Sequence, residues 1–550
     1  MIHMAKPVWA SWLAGIALLA SSLSTATAQD RAPLHRAVVG FASCIGCHGR
    51  NRTDAGNDDL PVPSPSGNWI LDNELRTWAN HDKHYQAYAV LFNARSVAMA
   101  KLMGSPAAHR DRRCLSCHTG YPAEQMKAVD GHLVAESWHT NTDVSYGITC
   151  EGCHGPGGDL AGPGGVKTGW FRLHLPPTKE KRPWRFLAPR VKWEEHGYVD
   201  VRTPSGKARL CGSCHIGDAR QGRVVTHEMY AAGHPPLPGF EVATFSSQMP
   251  VHWRPVSAKP DTKPEKSRSE FLARTSDPYF AKERFRLDAM HRTQGMMVGA
   301  LVSLAQSLEV TAALSGPGGQ GGSWPELAQF ECYACHHDLK VPAWRQKRLQ
   351  RGRVPGRPVL REWTTVLARV AVGGDSQRAE FDRQWTQVRD VLDRTPFGKQ
   401  ADLNRATATM GAWLMKRAQE LEAVSVDRAM ARQLLQDIAD AGAAGGLDYE
   451  SARQLAWACD VIGKELGRGS AEELQTVRAS GIVLVFPQRP VEPVGAGVFE
   501  ARRGPSRTRE MDLAKLLPPI GNYDPKAVTR AFKSLGTAVR KWPGSSSSTP

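Results

Sequence analysis

Hydrophobic and polar positions follow three different regimes along the chain. Trp9–Ala20 is a short, mostly apolar run. The stretch from there to about residue 340 reads as largely irregular and is rich in Gly, Pro and Trp, as in Pro61-Val62-Pro63-Ser64-Pro65 and from Gly155 to Gly165. Within it, Asp277-Pro278 supplies an N-cap followed by proline at the first helical position. That pair predicts a helix running through Arg284 to about Leu308 and carrying His291. From 360 to 480 the pattern turns amphipathic and rich in Ala, Leu and Arg, which predicts a small helical bundle. Gly445-Gly446 marks a break between helices there, and Ser470-Ala471-Glu472-Glu473 reads as a capping box. Residues 481–550 read as mostly irregular, with one candidate strand at Ile482–Phe486 and a low-complexity end from Gly544 to Pro550.

The N-terminus predicts a compartment. Lys6 is the only formal charge before Asp30, and Ala26-Thr27-Ala28 supplies small residues after the apolar run. Together they read as a cleaved secretory signal peptide over residues 1–28, with the mature chain starting at Gln29 and a periplasmic destination. A spanning helix needs about 20 apolar residues, which this run lacks. No later segment reads as long and apolar enough to span.

About 520 residues remain, enough for two or three domains. With 41% hydrophobic and 23% charged residues the chain is globular rather than disordered. The net charge of +16 would suit a nucleic-acid partner. The cysteines remove that reading.

Ten of the 11 cysteines fall into five Cys-x-x-Cys-His motifs. They are Cys44–Cys47–His48, Cys114–Cys117–His118, Cys150–Cys153–His154, Cys211–Cys214–His215 and Cys332–Cys335–His336. Chance would give about 0.01 such motifs in a chain of this composition. The two thiols of each motif add across the vinyl groups of one haem, and the following histidine becomes the proximal iron ligand. A disulfide framework or a zinc ribbon would not require a histidine after every second cysteine, and a thioredoxin-like pair would occur once. Five haem c groups are therefore expected. Their ten propionates, against at most one positive charge per ferric iron, would bring the mature protein to between about +5 and about +10. Much of the basic excess then compensates the haems, leaving a basic face that could steer an acidic redox partner. Cys459 lies with Leu455, Ile462 and Leu466 at helical spacing and reads as a buried core thiol.

Thirteen histidines of the mature chain lie outside the motifs, so second axial ligands are plentiful. A second histidine makes a low-spin, electron-transfer iron, whereas an open position makes one that binds substrate. His84, His174, His234 and His291 are the favoured distal ligands. His109, His132, His139, His196, His227, His252 and His337 rank behind them. His81 and His84 sit three residues apart on an expected helix after Trp78, so one of the two would ligate. His227 and His234 would lie two turns apart if their segment is helical.

The motif contexts resemble the cytochrome c-554 family of multihaem electron carriers. The first motif is followed by Trp78 and Asp82-Lys83-His84-Tyr85-Gln86-Ala87-Tyr88, and the second by Thr119-Gly120-Tyr121. The third reads Gly147-Ile148-Thr149-Cys150-Glu151-Gly152-Cys153-His154-Gly155-Pro156-Gly157 and is the most specific. The resemblance covers roughly residues 40–300. It implies that His84 is the distal ligand of the third haem, that the segment after the third motif serves the first haem through His174, and that His291 serves the fourth. It also implies closely stacked haem pairs and a five-coordinate second haem at His118. The fifth motif and everything after it fall outside the family pattern.

The expected architecture is mainly α with much irregular structure: a multihaem cytochrome c domain followed by a helical bundle. Its parts are a signal peptide (1–28), a pentahaem domain (29–340), a basic linker (341–359), a helical domain (360–480) and a mostly irregular tail (481–550). The expected function is periplasmic electron transfer between redox proteins of the periplasm or membrane, with no nucleic acid and no transmembrane segment in the mature chain. One alternative is a haem enzyme acting on a small nitrogen or sulfur species at an open iron. The chain has no Cys-x-x-Cys-Lys motif of the pentahaem nitrite reductases, nor the eight haem motifs of the hydroxylamine oxidoreductases. Another is a haem subunit whose helical region docks it into a larger respiratory complex.

Overall fold

Positions i, i+3 and i+4 share one face of a helix. Four of the five motifs use this rule and form or end a helix, so both thiols and the histidine of each project together. The fifth closes a tighter turn, Cys332–Ala334, with the His336 amide on the Cys332 carbonyl at 2.8 Å. In the computed structural model the described residues run from 36 to 542, excepting 50–70, 72, 122–125, 130–131, 136–141, 144–145, 163–164, 175–182, 254, 259–266, 282–284, 317–323, 337–338, 340, 342–353, 355 and 481–522. The signal peptide, most of the basic linker and the candidate strand at Ile482–Phe486 lie outside them.

The motif-bearing half contains short helices: α1 (Ile45–His48), α2 (Glu74–His81), α3 (Ala94–Leu102), α4 (Arg112–His118), α5 (Cys150–His154), α6 (Trp170–His174), α7 (Pro189–His196), α8 (Pro204–His215), α9 (His227–Ala232), α10 (Val242–Ser247) and α11 (Ser267–Arg274). Two small antiparallel sheets interrupt them, β1 (Met126–Val129), β2 (His132–Ala135) and β3 (Thr142–Asp143), then β4 (Leu160–Gly162) and β5 (Gly165–Lys167). Capping fixes where the motif helices begin. Asp111 accepts from the Arg113 amide, and Thr203 accepts from Gly206 with Pro204 at the first position of α8. Gly155 stops α5 directly after His154 with φ 82°, and a Cβ there would lie 2.2 Å from the Gly197 carbonyl. Only glycine suits both the angle and the approach. Apolar clusters in this half are small, such as Phe41, Leu75, Trp78, Ala79 and Tyr85.

The long helix α12 (His291–Ser315) starts thirteen residues after Pro278, where the pattern placed its first turn, and ends seven residues beyond Leu308. Asp277 does cap a turn through the Tyr279 amide, but that turn is the short Pro278–Phe280. After α12 come α13 (Trp363–Ala371), α14 (Asp375–Arg394), α15 (Gln400–Glu422), α16 (Arg428–Ala443), α17 (Tyr449–Glu465), α18 (Glu472–Ala479) and α19 (Pro525–Lys541). The fold is mainly helical, as expected. The Ser470 capping box does not form: α18 is entered at Ala471 without a side-chain cap.

Two expectations are corrected. First, α12 is long and apolar enough to cross a membrane by length and composition, although no later segment read that way. It is instead buried against α8, α13, α15 and α17. One apolar core therefore runs from Ala208 on α8 through α12 to Val539 on α19, crossing the expected boundary at 341–359. Second, the tail is not irregular throughout. Asp524 caps α19 through the Lys526 amide, Pro525 follows, and Val528, Ala531, Phe532, Leu535 and Val539 bury one face against α16 and α18. Cys459 is fully buried in this core, with burial pushing its thiol up.

Candidate haem sites

Buried polar groups tie the motifs to one another. Glu151, inside the third motif, accepts from the amides of Val39 at 2.9 Å, Gly40 at 2.8 Å and Gly157 at 2.8 Å. Burial raises this carboxyl and the three amides oppose the rise. Glu151 thereby fixes the strand of chain that leads into Cys44, and the Cys44 and Cys150 thiols come within hydrogen-bond reach. Arg223 does the same for the second and fourth motifs. It donates to the Ser116 carbonyl at 2.9 Å, the Gly120 carbonyl at 2.6 Å and the Ser213 hydroxyl at 2.6 Å. The Cys117 and Cys214 thiols meet beside it, and Cys214 is lowered by the Cys117 hydrogen bond and by the guanidinium. The third and fourth motifs meet through His84, whose carbonyl accepts from the Ile148 amide at 3.0 Å and whose ring lies 6.4 Å from that of His215. The described motifs are thus joined first to third, third to fourth, and fourth to second.

Histidines from outside the motifs meet those inside. His48 and His174 stack with ring centroids 6.3 Å apart, His215 and His84 lie 6.4 Å apart edge to face, and His336 and His227 stack at 6.3 Å. With a metal–imidazole bond of about 2 Å and a ring centre roughly 1.1 Å behind the bonding nitrogen, an ion held between two histidines separates their centres by about 6.2 Å. All three spacings fit an iron between the rings. Among the described residues the other two motif histidines have no histidine at that spacing, and His154 instead stacks on Tyr198 at 5.6 Å. Burial lowers His154 to about 4, with His252 as the next cause. Burial likewise lowers His118 to about 4, and His234 adds to it.

Hydrogen bonds at Nδ1 orient these rings. His48 pairs with Glu74 at 3.2 Å and His84 with Asp82 at 2.8 Å. His118 bonds the Ala87 carbonyl at 2.6 Å, His174 that of Phe171 at 2.7 Å and His234 that of Pro235 at 2.7 Å. A proton held at Nδ1 selects the tautomer whose Nε2 lone pair can bind metal.

Several placements differ from the sequence reading. His84 meets His215 of the fourth motif, not His154 of the third. His291 sits at the start of α12 with its Nε2 on the Arg286 carbonyl at 2.8 Å and its ring stacked on Phe285, so its contacts are with structural groups rather than a motif. Its place beside His215 is taken by His84, because the Asp82 turn brings that ring inward. His174 meets His48, as the resemblance implied. His227, ranked low, is the one drawn to a motif at that spacing, and His252 comes only within charge reach of His154. α9 ends at Gly233 (φ 115°), so His227 and His234 do not share a helix face. His109 stacks on Phe92 at 4.3 Å, and His196 bonds the Thr168 carbonyl at 2.9 Å. His139, His337 and the His132 side chain lie outside the described residues. No sequence signal separated His227 and His252 from surface histidines, since each stands alone on an aperiodic segment and only tertiary packing gives it a partner.

Comparison with known proteins gives a family over part of the chain. The family described as Cytochrome c554 and c-prime matches residues 72–155, which span His84 and the second and third motifs. No curated protein and no solved structure matches. Over residues 72–155, with their paired thiols and oriented histidines, the chain is similar to the c-type cytochromes of the cytochrome c554 family.

Proposed function

We propose that the protein is an exported, periplasmic electron carrier with five haem c groups, one on each Cys-x-x-Cys-His motif. The observation that carries this is the placement of an outside histidine at iron-bridging distance from His48, His215 and His336. When bound, each haem supplies a one-electron iron couple. The chain's own residues hold the irons and set their surroundings. Cys44, Cys47, Cys114, Cys117, Cys150, Cys153, Cys211, Cys214, Cys332 and Cys335 anchor the porphyrin edges. His48, His118, His154, His215 and His336 are the proximal ligands. His174 completes the first site, His84 the fourth, and His252 and His234 face the third and second. Glu74 and Asp82 strengthen His48 and His84 as donors through Nδ1.

A second reading is favoured by one observation. Among the described residues neither His118 nor His154 has a histidine at the 6.3–6.4 Å spacing of the other three motif histidines, and of these two it is His118 that the resemblance implies to be five-coordinate. The second site would then keep an open iron able to take a small nitrogen or sulfur species. Intact mass and a pyridine haemochrome assay decide the haem number, with five expected and fewer contradicting the proposal. Spectra of the oxidised protein then decide between the readings. Low-spin haem throughout supports a carrier, whereas a high-spin signal that shifts with nitrite or hydroxylamine supports catalysis at His118.

A further inference from the structure

We infer that His227 is the second axial ligand of the iron at the fifth motif, and that α9 couples this site to the second one. The inference rests on the proposed five-haem reading and concerns residues outside the matched family segment.

Three stretches of chain build the site. Glu331 donates its amide to Val359 at 2.9 Å and Arg361 donates to Gln329 at 3.2 Å, so the residues leading into Cys332 are bridged to 359–361. The Glu331 carboxylate then accepts from the Glu362 amide at 2.7 Å. Glu326 takes hold of α9 from the same side, accepting from the His227 amide at 2.8 Å while capping its own turn through Ala328 at 2.9 Å. The His227 backbone is thus fastened to the segment that carries the motif, and its ring stacks opposite His336 at 6.3 Å with planes 27° apart. Arg361 closes the site, donating to the Tyr230 hydroxyl at 3.3 Å with its guanidinium 5.5 Å from that ring. A half-buried cation beside the chain that leads into Cys332 suits a haem carboxylate.

The same helix reaches the second motif. Glu228 on α9 lies 3.9 Å from Arg113 in the helix that carries Cys114–His118, and Tyr230 lies 6.1 Å from His234, whose amide bonds the Met229 carbonyl at 2.9 Å. One six-residue helix therefore stands between the two sites. Cys47, Cys332 and Cys335 are the exposed motif thiols, and His336 is exposed as well. The first and fifth motifs are then the two ends of a series running first, third, fourth, second, fifth, through which electrons enter and leave.

The test compares the holoprotein with His227→Ala and with His81→Ala, a control at the exposed end of α2. Intact mass counts haems in each. A wild-type protein with four haems and an unmodified fifth motif overturns the underlying reading. With five haems in place, electron paramagnetic resonance of oxidised His227→Ala is expected to show one low-spin haem converted to high-spin, and added imidazole to restore it. The control is expected to match wild type. A His227→Ala protein with five haems and an unchanged low-spin spectrum overturns the assignment of His227. Should the alanine variant lose the fifth haem, His227→Met decides: a retained low-spin iron with altered near-infrared charge-transfer bands supports ligation, and unchanged bands refute it.

Discussion

A single guanidinium, Arg223, is hydrogen bonded both to Ser116 and to Ser213, the residues that precede the second cysteine of the second and fourth motifs. Replacing it with glutamine leaves buried oxygens unsatisfied, each costing about 1–3 kcal/mol. A nearby fixed positive charge also favours ferrous over ferric iron. Spectroelectrochemical titration of Arg223→Gln should therefore move two of the haem waves to lower potential, with Arg223→Lys moving them less. Waves that stay in place would show that the charge does not act on those sites.

Asp200 holds Lys192 at 2.9 Å and Arg202 at 2.8 Å. Burial alone would raise the Asp200 carboxyl, and the two cations reverse this and hold it well below the ordinary range. Asp200→Asn leaves Lys192 buried without its counter-ion. The expected loss is about 3–5 kcal/mol, read from chemical denaturation of the holoprotein.

Glu422 accepts from the Ser205 amide at 2.9 Å and hydroxyl at 2.8 Å, joining α15 to the start of α8. Burial, helped by the nearby Asp277 and Asp200 and opposed by the Ser205 hydrogen bonds, raises its carboxyl to about 7 against an ordinary 4.5. The folded state thus binds the proton more tightly than the unfolded one. Its contribution is complete below pH 4.5 and is lost as pH rises through about 7, amounting to about 3 kcal/mol at most. Glu422→Gln cannot ionise, so its thermal midpoint should fall less between pH 5 and pH 8 than that of the wild type. Parallel profiles would contradict the assignment.

Gly442 on α16 faces Phe532 on α19, and a Cβ there would lie 2.2 Å from the ring. Gly442→Ala should destabilise by about 1–3 kcal/mol, the usual cost of overpacking. Proteolysis near residues 480–525 should accelerate as α19 loosens, whereas Gly295→Ala on α12, whose added methyl meets no neighbour and whose backbone is helical, should leave it docked.

How much of this was legible in the sequence depended on whether the cause was local. The motifs announce their thiols and proximal histidines because attachment chemistry needs a fixed spacing. The bundle was legible from its amphipathic period. α19 carried the same period and the Asp524-Pro525 start, but it stands isolated after a long aperiodic stretch. Its partners are α16, some ninety residues earlier, and α18. The histidine partners of the motif histidines were the least legible. Nothing local to His84 says that it meets His215 rather than His154, since that depends on how the Asp82 turn packs against α8. The role of α12 was misjudged for a related reason. Its all-round hydrophobicity marks a helix covered on every side but does not say by what.

The consequence of α12 reaches the fourth motif. One flank of this helix supports α8, whose last turn is Cys211–His215, while the other supports α15. The half of the chain without motifs therefore acts as ballast, stiffening the half that has them and keeping separations between the motifs from wandering. A truncation at 341–359, which looks clean on the sequence map, would remove the far wall of that support and leave the fourth centre mounted on a loose beam.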